Sequence, residues 1–209
     1  GMAVGLFART AEQVESAVAE IEAAGGRAIW AAGDVTDRSA VEAFVARVAA
    51  VLIVLLEGDD GAEVLLTRRS MEMRNHRGEI SFPGGRLDTG ETPIDAALRE
   101  AHEEVGLDPS APTVVGELDH LNTIVSRSYI VPIVSVLDRR PELRPQTGEV
   151  DRVFWTPVSE LTRPGTYRLE HWGSAPLDRP LHFFELDDET VWGATAHMLV
   201  DLPTSSSRR

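Results

Sequence analysis

One segment of this chain, TPIDAALREAHEEVG at residues 92–106, restricts its folding and its chemistry more than any other. Apolar or small residues at Ile94, Ala97, Leu98, Ala101 and Val105 recur at helical spacing, so one stripe should face a core. Thr92 suits the N-cap, Pro93 stands in the first turn where its missing N–H costs nothing, Asp95 complements the positive helix end, and Gly106 stops the helix. Glu100, Glu103 and Glu104 stand at i, i+3 and i+4, which crowds three carboxylates onto one face within a turn. Like charges at these spacings cost roughly 0.2–0.5 kcal/mol per pair. They also sit near the C-terminus, where the helix dipole disfavours anions. Arg99 is adjacent in sequence rather than on the same face, and the 20 basic residues include no lysine. A bound cation explains a cluster that breaks local rules, and hard carboxylate oxygens suit Mg2+ or Mn2+. A solvated acidic face in an acidic protein is the alternative.

Composition narrows the chemistry further. The chain has 209 residues and no cysteine, which excludes disulfides, thiolate metal sites and a cysteine nucleophile. Without lysine there is no Schiff base and no phosphate-loop lysine. A formal charge of −14 disfavours nucleic acid as a partner. The longest apolar run, AAVLIVLL at 49–56, is too short to span a bilayer, and the first ten residues lack a basic-then-apolar leader pattern. These features point to a soluble cytoplasmic protein with no membrane partner. His102, His120, His171, His182 and His197 show no zinc spacing, and Trp30, Trp155 and Trp172 read as packing residues.

Along the chain two grammars appear. Residues 1–50 alternate strand (4–8), helix (11–26), strand (27–33) and helix (37–50), which suggests a parallel strand pair. From about residue 48 the pattern turns to strands and hairpins: 51–56 and 63–67 flank the turn GDDG, followed by strands at 112–118, 129–137, 150–156 and 180–186, and a helix over 193–202. The division is thus 1–47, 48–203 and a polar tail at 204–209.

Reading from Gly85, the spacing is five residues to Glu91, seven to Arg99-Glu100, two to Glu103-Glu104, and one to Gly106-Leu107. This resembles the Nudix box in every fixed position. The resemblance implies an α/β fold, a Nudix α/β/α sandwich with a mixed sheet, here carrying an N-terminal β-α-β-α appendage. It also implies hydrolysis of a nucleoside diphosphate derivative with divalent metal. Glu100, Glu103, Glu104 and the Gly85 carbonyl would be the metal ligands, and Arg99 would pair with Glu91. A box glutamate or a later acid would serve as base; Glu149, just before a strand, is a candidate, and an exposed strand-edge charge is its equal alternative.

Upstream, LLTRRSMEMRNHRGEISFPGG (65–85) gathers Arg68, Arg69, Arg74 and Arg77, and guanidinium forks match phosphate oxygens. Surface arginines balancing nearby acids are the other reading. Leu65-Leu66-Thr67, Arg69-Ser70, Arg74, Gly78 and Phe82-Pro83-Gly84-Gly85 resemble the signature of the coenzyme A diphosphatases, a Nudix subfamily. That resemblance implies cleavage of CoA, or acyl-CoA, to 3′,5′-ADP and 4′-phosphopantetheine. Arg69 and Arg74 would contact phosphate, Gly78 and Gly84 would admit the substrate backbone closely, and a homodimer is a family-level expectation. Residues 4–37 resemble a short-chain dehydrogenase fragment, but the glycine-rich turn and the Tyr-x-x-x-Lys pair are absent, so no dehydrogenase activity is expected.

Overall fold

The computed structural model describes residues 3–24, 27–34, 36–37, 48–59, 61–123, 128–173 and 179–204. At the N-terminus, β1 (Ala3–Ala8), α1 (Ala11–Ala23) and β2 (Arg27–Ala32) form a unit in which β1 and β2 run parallel. Val14 and Val18 of α1 pack against Ala28, with Leu6, Ile21 and Trp30 around them. The expected second helix over 37–50 falls mostly outside the described residues, and its last three positions belong to a strand instead.

That strand, β3 (Val48–Gly58), is longer than the apolar run predicts and turns into β4 (Gly61–Arg69) as an antiparallel hairpin. With β7 (Thr113–Glu117), β9 (Tyr129–Leu137) and β10 (Val150–Pro157) they form a sheet in the order β10-β4-β3-β9-β7. β3 and β9 pair in parallel and the other neighbours are antiparallel, so the sheet is mixed. Short strands β5 (Ile80–Ser81), β6 (Gly84–Arg86) and β8 (Leu121–Asn122) attach to β4, β3 and β9.

Strand alternation gives the sheet two apolar faces. Leu52, Val54, Leu65, Val131 and Ile133 point to one, where Ala97, Ala101 and Val105 of α2 (Pro93–Val105) cover them. Ile53, Val64, Leu66 and Val134 point to the other, against Met198 and Leu199 of α4 (Gly193–Thr204). Between these, a four-residue helix α3 (Val158–Leu161) leads into a separate antiparallel sheet of β11 (Tyr167–Trp172), β12 (Arg179–Glu185) and β13 (Thr190–Trp192). The result is an α/β sandwich with a mixed sheet between helices. Among the described residues no helix is long and apolar enough to cross a membrane.

α2 begins as its sequence dictates. The Thr92 hydroxyl accepts the Asp95 N–H at 3.2 Å while Asp95 accepts the Thr92 N–H at 3.1 Å, a reciprocal capping box. Gly106 ends it at φ 77°, the left-handed conformation that favours glycine. The stripe differs at one point: Ile94 lies exposed, and Ala96 is buried in its place and joins the core cluster beneath the sheet.

Candidate active site

Arg99 is the organising cation of the loop before α2. Its Nε and Nη2 donate to the two Glu91 oxygens at 2.7 and 3.0 Å, a bidentate fork, and Nη2 also donates to the Arg86 carbonyl at 3.0 Å. Glu91 in turn accepts the Asp88 N–H at 2.8 Å. The Arg99 bonds, and then the Asp88 N–H, hold the Glu91 carboxyl below the usual carboxylate range. Arg99 Nη1 further reaches Glu100 at 2.9 Å and Glu103 at 3.2 Å. This corrects the expectation that Arg99 stands off the glutamate face: Arg99 and Glu103 are four residues apart, one helical turn, and the guanidinium bridges both.

The three box glutamates occupy different environments. Glu103 is exposed, Glu100 is partly buried, and Glu104 is 6% exposed. Burial raises the Glu100 carboxyl above its ordinary value, Arg99 opposes this, and Glu103 and Glu149 add repulsion. Glu104 is pushed up to about 7, chiefly by burial; the Gly84 N–H, donated at 3.2 Å, and the charge of Arg69 oppose the rise, while Glu100 and Glu149 reinforce it. The carboxylates meet the backbone closely. A side chain on Gly85 would lie 2.4 Å from the Glu100 carboxylate, and one on Gly84 would lie 2.4 Å from the Ala50 carbonyl. Gly84 is thus demanded by packing, and its N–H serves Glu104.

Strand alternation divides the arginine segment. Arg68 turns toward the α4 face, where it binds Asp151 at 2.9 Å and Glu189 at 3.0 Å; Arg152 joins the same Glu189 at 2.8 Å. Arg69 turns toward the α2 face, 3.5 Å from Glu149, and its Nε is buried without a hydrogen-bond partner. Arg77 is spent on the Met73 carbonyl at 2.6 Å, and Arg74 lies exposed. The four cations therefore do not form one patch: Arg68 and Arg69, consecutive strand residues, face opposite ways, and Arg77 is held by its own loop. The loop between them closes at its root: Gly78 N–H donates to the Arg69 carbonyl at 3.1 Å, and Ser70 N–H to the Glu149 carbonyl at 2.7 Å. Gly78 takes φ 66°, so its turn requires glycine.

Glu149 and Arg69 thus come together with Glu100 and Glu104 from three separate stretches of chain, a pairing that no local spacing signals. The cluster of Arg68, Asp151, Arg152 and Glu189 was likewise invisible to a reading along the chain. Among the described residues no three histidine or acidic side chains form a ready-made cation cage. The donor chemistry nonetheless fits a hard divalent ion: Glu103 repels Glu100, Glu100 repels Glu104, and Gly85 lies directly against the Glu100 carboxylate.

Comparison with known proteins identifies the family of the chain. The NUDIX domain family matches residues 46–177. Nudix hydrolase 15, mitochondrial, of Arabidopsis thaliana is 36% identical over 161 residues, which cover 73% of this chain and 56% of that protein. An uncharacterized Nudix hydrolase, NudL, of Enterobacter sp. (strain 638) is 35% identical over 163 residues, 75% of this chain and 81% of that protein. The chain spans about half the length of the first curated relatives it matches. Among solved structures, a Nudix hydrolase from M. smegmatis, RenU, is similar over 56% of this chain and 74% of that one, at 25% identity and a TM-score of 0.49.

Proposed function

The chain belongs to the NUDIX domain family, and from that premise we propose that it hydrolyses the pyrophosphate bond of coenzyme A or its acyl derivatives, giving 3′,5′-ADP and 4′-phosphopantetheine. The observation that carries the reading is Arg69: a guanidinium with a buried, unpartnered Nε stands beside Glu149 and Glu104 on the carboxylate face. The Arg69 side chain keeps part of its surface exposed, so its terminal N–H groups can meet a phosphate oxygen beside Glu149.

In this reading Glu100, Glu103, Glu104 and the Gly85 carbonyl hold Mg2+ or Mn2+, which when bound supplies positive charge against the phosphoryl oxygens. Water attacks one phosphorus, the bridging P–O bond breaks, and a carboxylate takes the proton. Glu149 suits that role: it is exposed to the site and held 3.5 Å from Arg69, on a loop tied by its backbone to Ser70. Arg99 and Glu91 act as a clamp that fixes Arg86 and the loop beneath the ligands. Arg69 and the exposed Arg74 contact the substrate phosphates. Residues 48–203 carry this chemistry and residues 1–47 do not contribute to it.

The test is selectivity. CoA, ADP-ribose, NADH and a deoxynucleoside triphosphate are offered in parallel with Mg2+ or Mn2+, and kcat/KM is compared. The expected result is CoA first by at least tenfold. A preference for another nucleoside diphosphate derivative would keep the metal helix and discard the arginine assignment.

A further inference from the structure

We propose that the cavity at the C-terminal end of α2 is a second ligand site, separate from the carboxylate centre, and that it takes a nucleoside phosphate. Its frame is the segment 140–146, which folds back over the helix end: Arg144 N–H donates to the Val105 carbonyl at 3.2 Å and Gln146 N–H to the Glu104 carbonyl at 2.9 Å. Between this segment and β10 lies a cavity of about 580 Å3, lined by Gly106, Arg140, Arg144, Gln146, Val153 and Trp155 among others. None of the proposed metal, base or phosphate residues lines it. The volume lies within the range of about 300–1,000 Å3 usual for small-molecule sites, and far exceeds what one inorganic anion needs.

Charge selects an anion. Arg139, Arg140 and Arg144, set against the cavity-lining Glu142, leave a net charge of +2 in the six residues 139–144 of a chain whose net charge is −14. Arg140 is paired with Glu63, whereas the exposed Arg144 has no ion pair among the described residues. Three of the last four carbonyls of α2 already have partners. The Val105 and Glu104 carbonyls are occupied by the two N–H groups above, and the His102 carbonyl by Gly106. Shape selects a planar group attached to that anion. The Arg140 guanidinium lies 5.1 Å over the Trp155 ring, both residues line the cavity, and the Gln146 amide offers both a donor and an acceptor to a base edge. An unpaired guanidinium, an aromatic ring and an amide around one cavity together describe a nucleoside phosphate better than a simple ion.

The test is calorimetric titration of the full chain with AMP in excess EDTA, so that no divalent ion can recruit ligand to the carboxylates. Saturable binding of one AMP per chain is expected, with inorganic phosphate at least tenfold weaker. Arg144→Glu should weaken AMP at least tenfold, and the milder Arg144→Gln should weaken it less, both with unchanged circular dichroism. Absence of saturable binding at millimolar AMP overturns the proposal, as does binding that survives Arg144→Glu. AMP binding that is lost in Arg69→Ala instead would place the ligand at the carboxylate centre and refute the second site. Inorganic phosphate binding as well as AMP would refute the nucleoside part.

Discussion

At the scale of single residues, the site depends on two side chains held in costly positions. Glu104 is buried with one backbone N–H and two neighbouring carboxylates, an arrangement that stability alone does not favour. Glu104→Gln keeps the shape and removes the charge. We expect turnover to fall by at least about a hundredfold, consistent with loss of a group acting on the reacting charge, while the variant stays folded by circular dichroism and still binds CoA. Unimpaired turnover would remove Glu104 from the metal set. Arg69→Ala removes a charge-assisted contact of about 1.5–3 kcal/mol. It should therefore raise KM roughly ten- to a hundredfold, with a smaller effect on kcat; an unchanged KM would return Arg69 to a purely structural role beside Glu149. Much of this proposed site was legible in the sequence because the residues proposed as ligands lie on one helix and its preceding loop. Glu100, Glu103 and Glu104 share a turn, and Glu91 and Arg99 stand at a fixed distance before them. The contact of Arg69 with Glu149 was not legible as a pair, since β4 and β10 are brought together only by the sheet. The error over Arg99 was avoidable, because one turn of helix places it beside Glu103.

At the scale of elements, α2 is fixed by its ends as well as by its stripe. Thr92→Ala removes the cap hydroxyl and should cost about 1 kcal/mol, lowering Tm by roughly 2–4 °C. The effect should depend on pH. Bonds from the Thr92 hydroxyl and then its backbone N–H hold the Asp95 carboxyl below its ordinary value. A carboxyl lowered in the fold stabilises above its unfolded pKa and loses that contribution as pH falls through the lowered one. The Tm difference between wild type and Thr92→Ala should therefore narrow on acidification, and a gap that widens would contradict the capping box. The strands were legible where one face is apolar, as in β3, β4 and β9. The strand β11, YRLEHW, is not legible because its alternation, Tyr167 and Leu169 against Arg168 and Glu170, stops after four residues and none of its residues is fully buried. The tiny strands β5, β6 and β8 were missed for want of length.

At the scale of the whole molecule, the mixed sheet assigns work to its two faces. The α2 face collects the carboxylates, Arg69 and Glu149, while the α4 face ties Arg68 and Arg152 to Glu189 and packs the apolar remainder. The N-terminal unit has its own small core in Val14, Val18 and Ala28. Deleting residues 1–46 should leave kcat/KM within about twofold, and a folded truncation with no turnover would show that the unit takes part. On the proposed reading, residues 48–203 break the pyrophosphate bond of CoA and leave its 3′-phosphate in place. The measurement that tests it most directly is mass spectrometry of the products from CoA in 18O-labelled water, with and without Mg2+ or Mn2+. The account predicts 3′,5′-ADP and 4′-phosphopantetheine only with metal, with one solvent oxygen appearing on one of the two products. Release of inorganic phosphate from the 3′ position, or intact CoA in every condition, would contradict it.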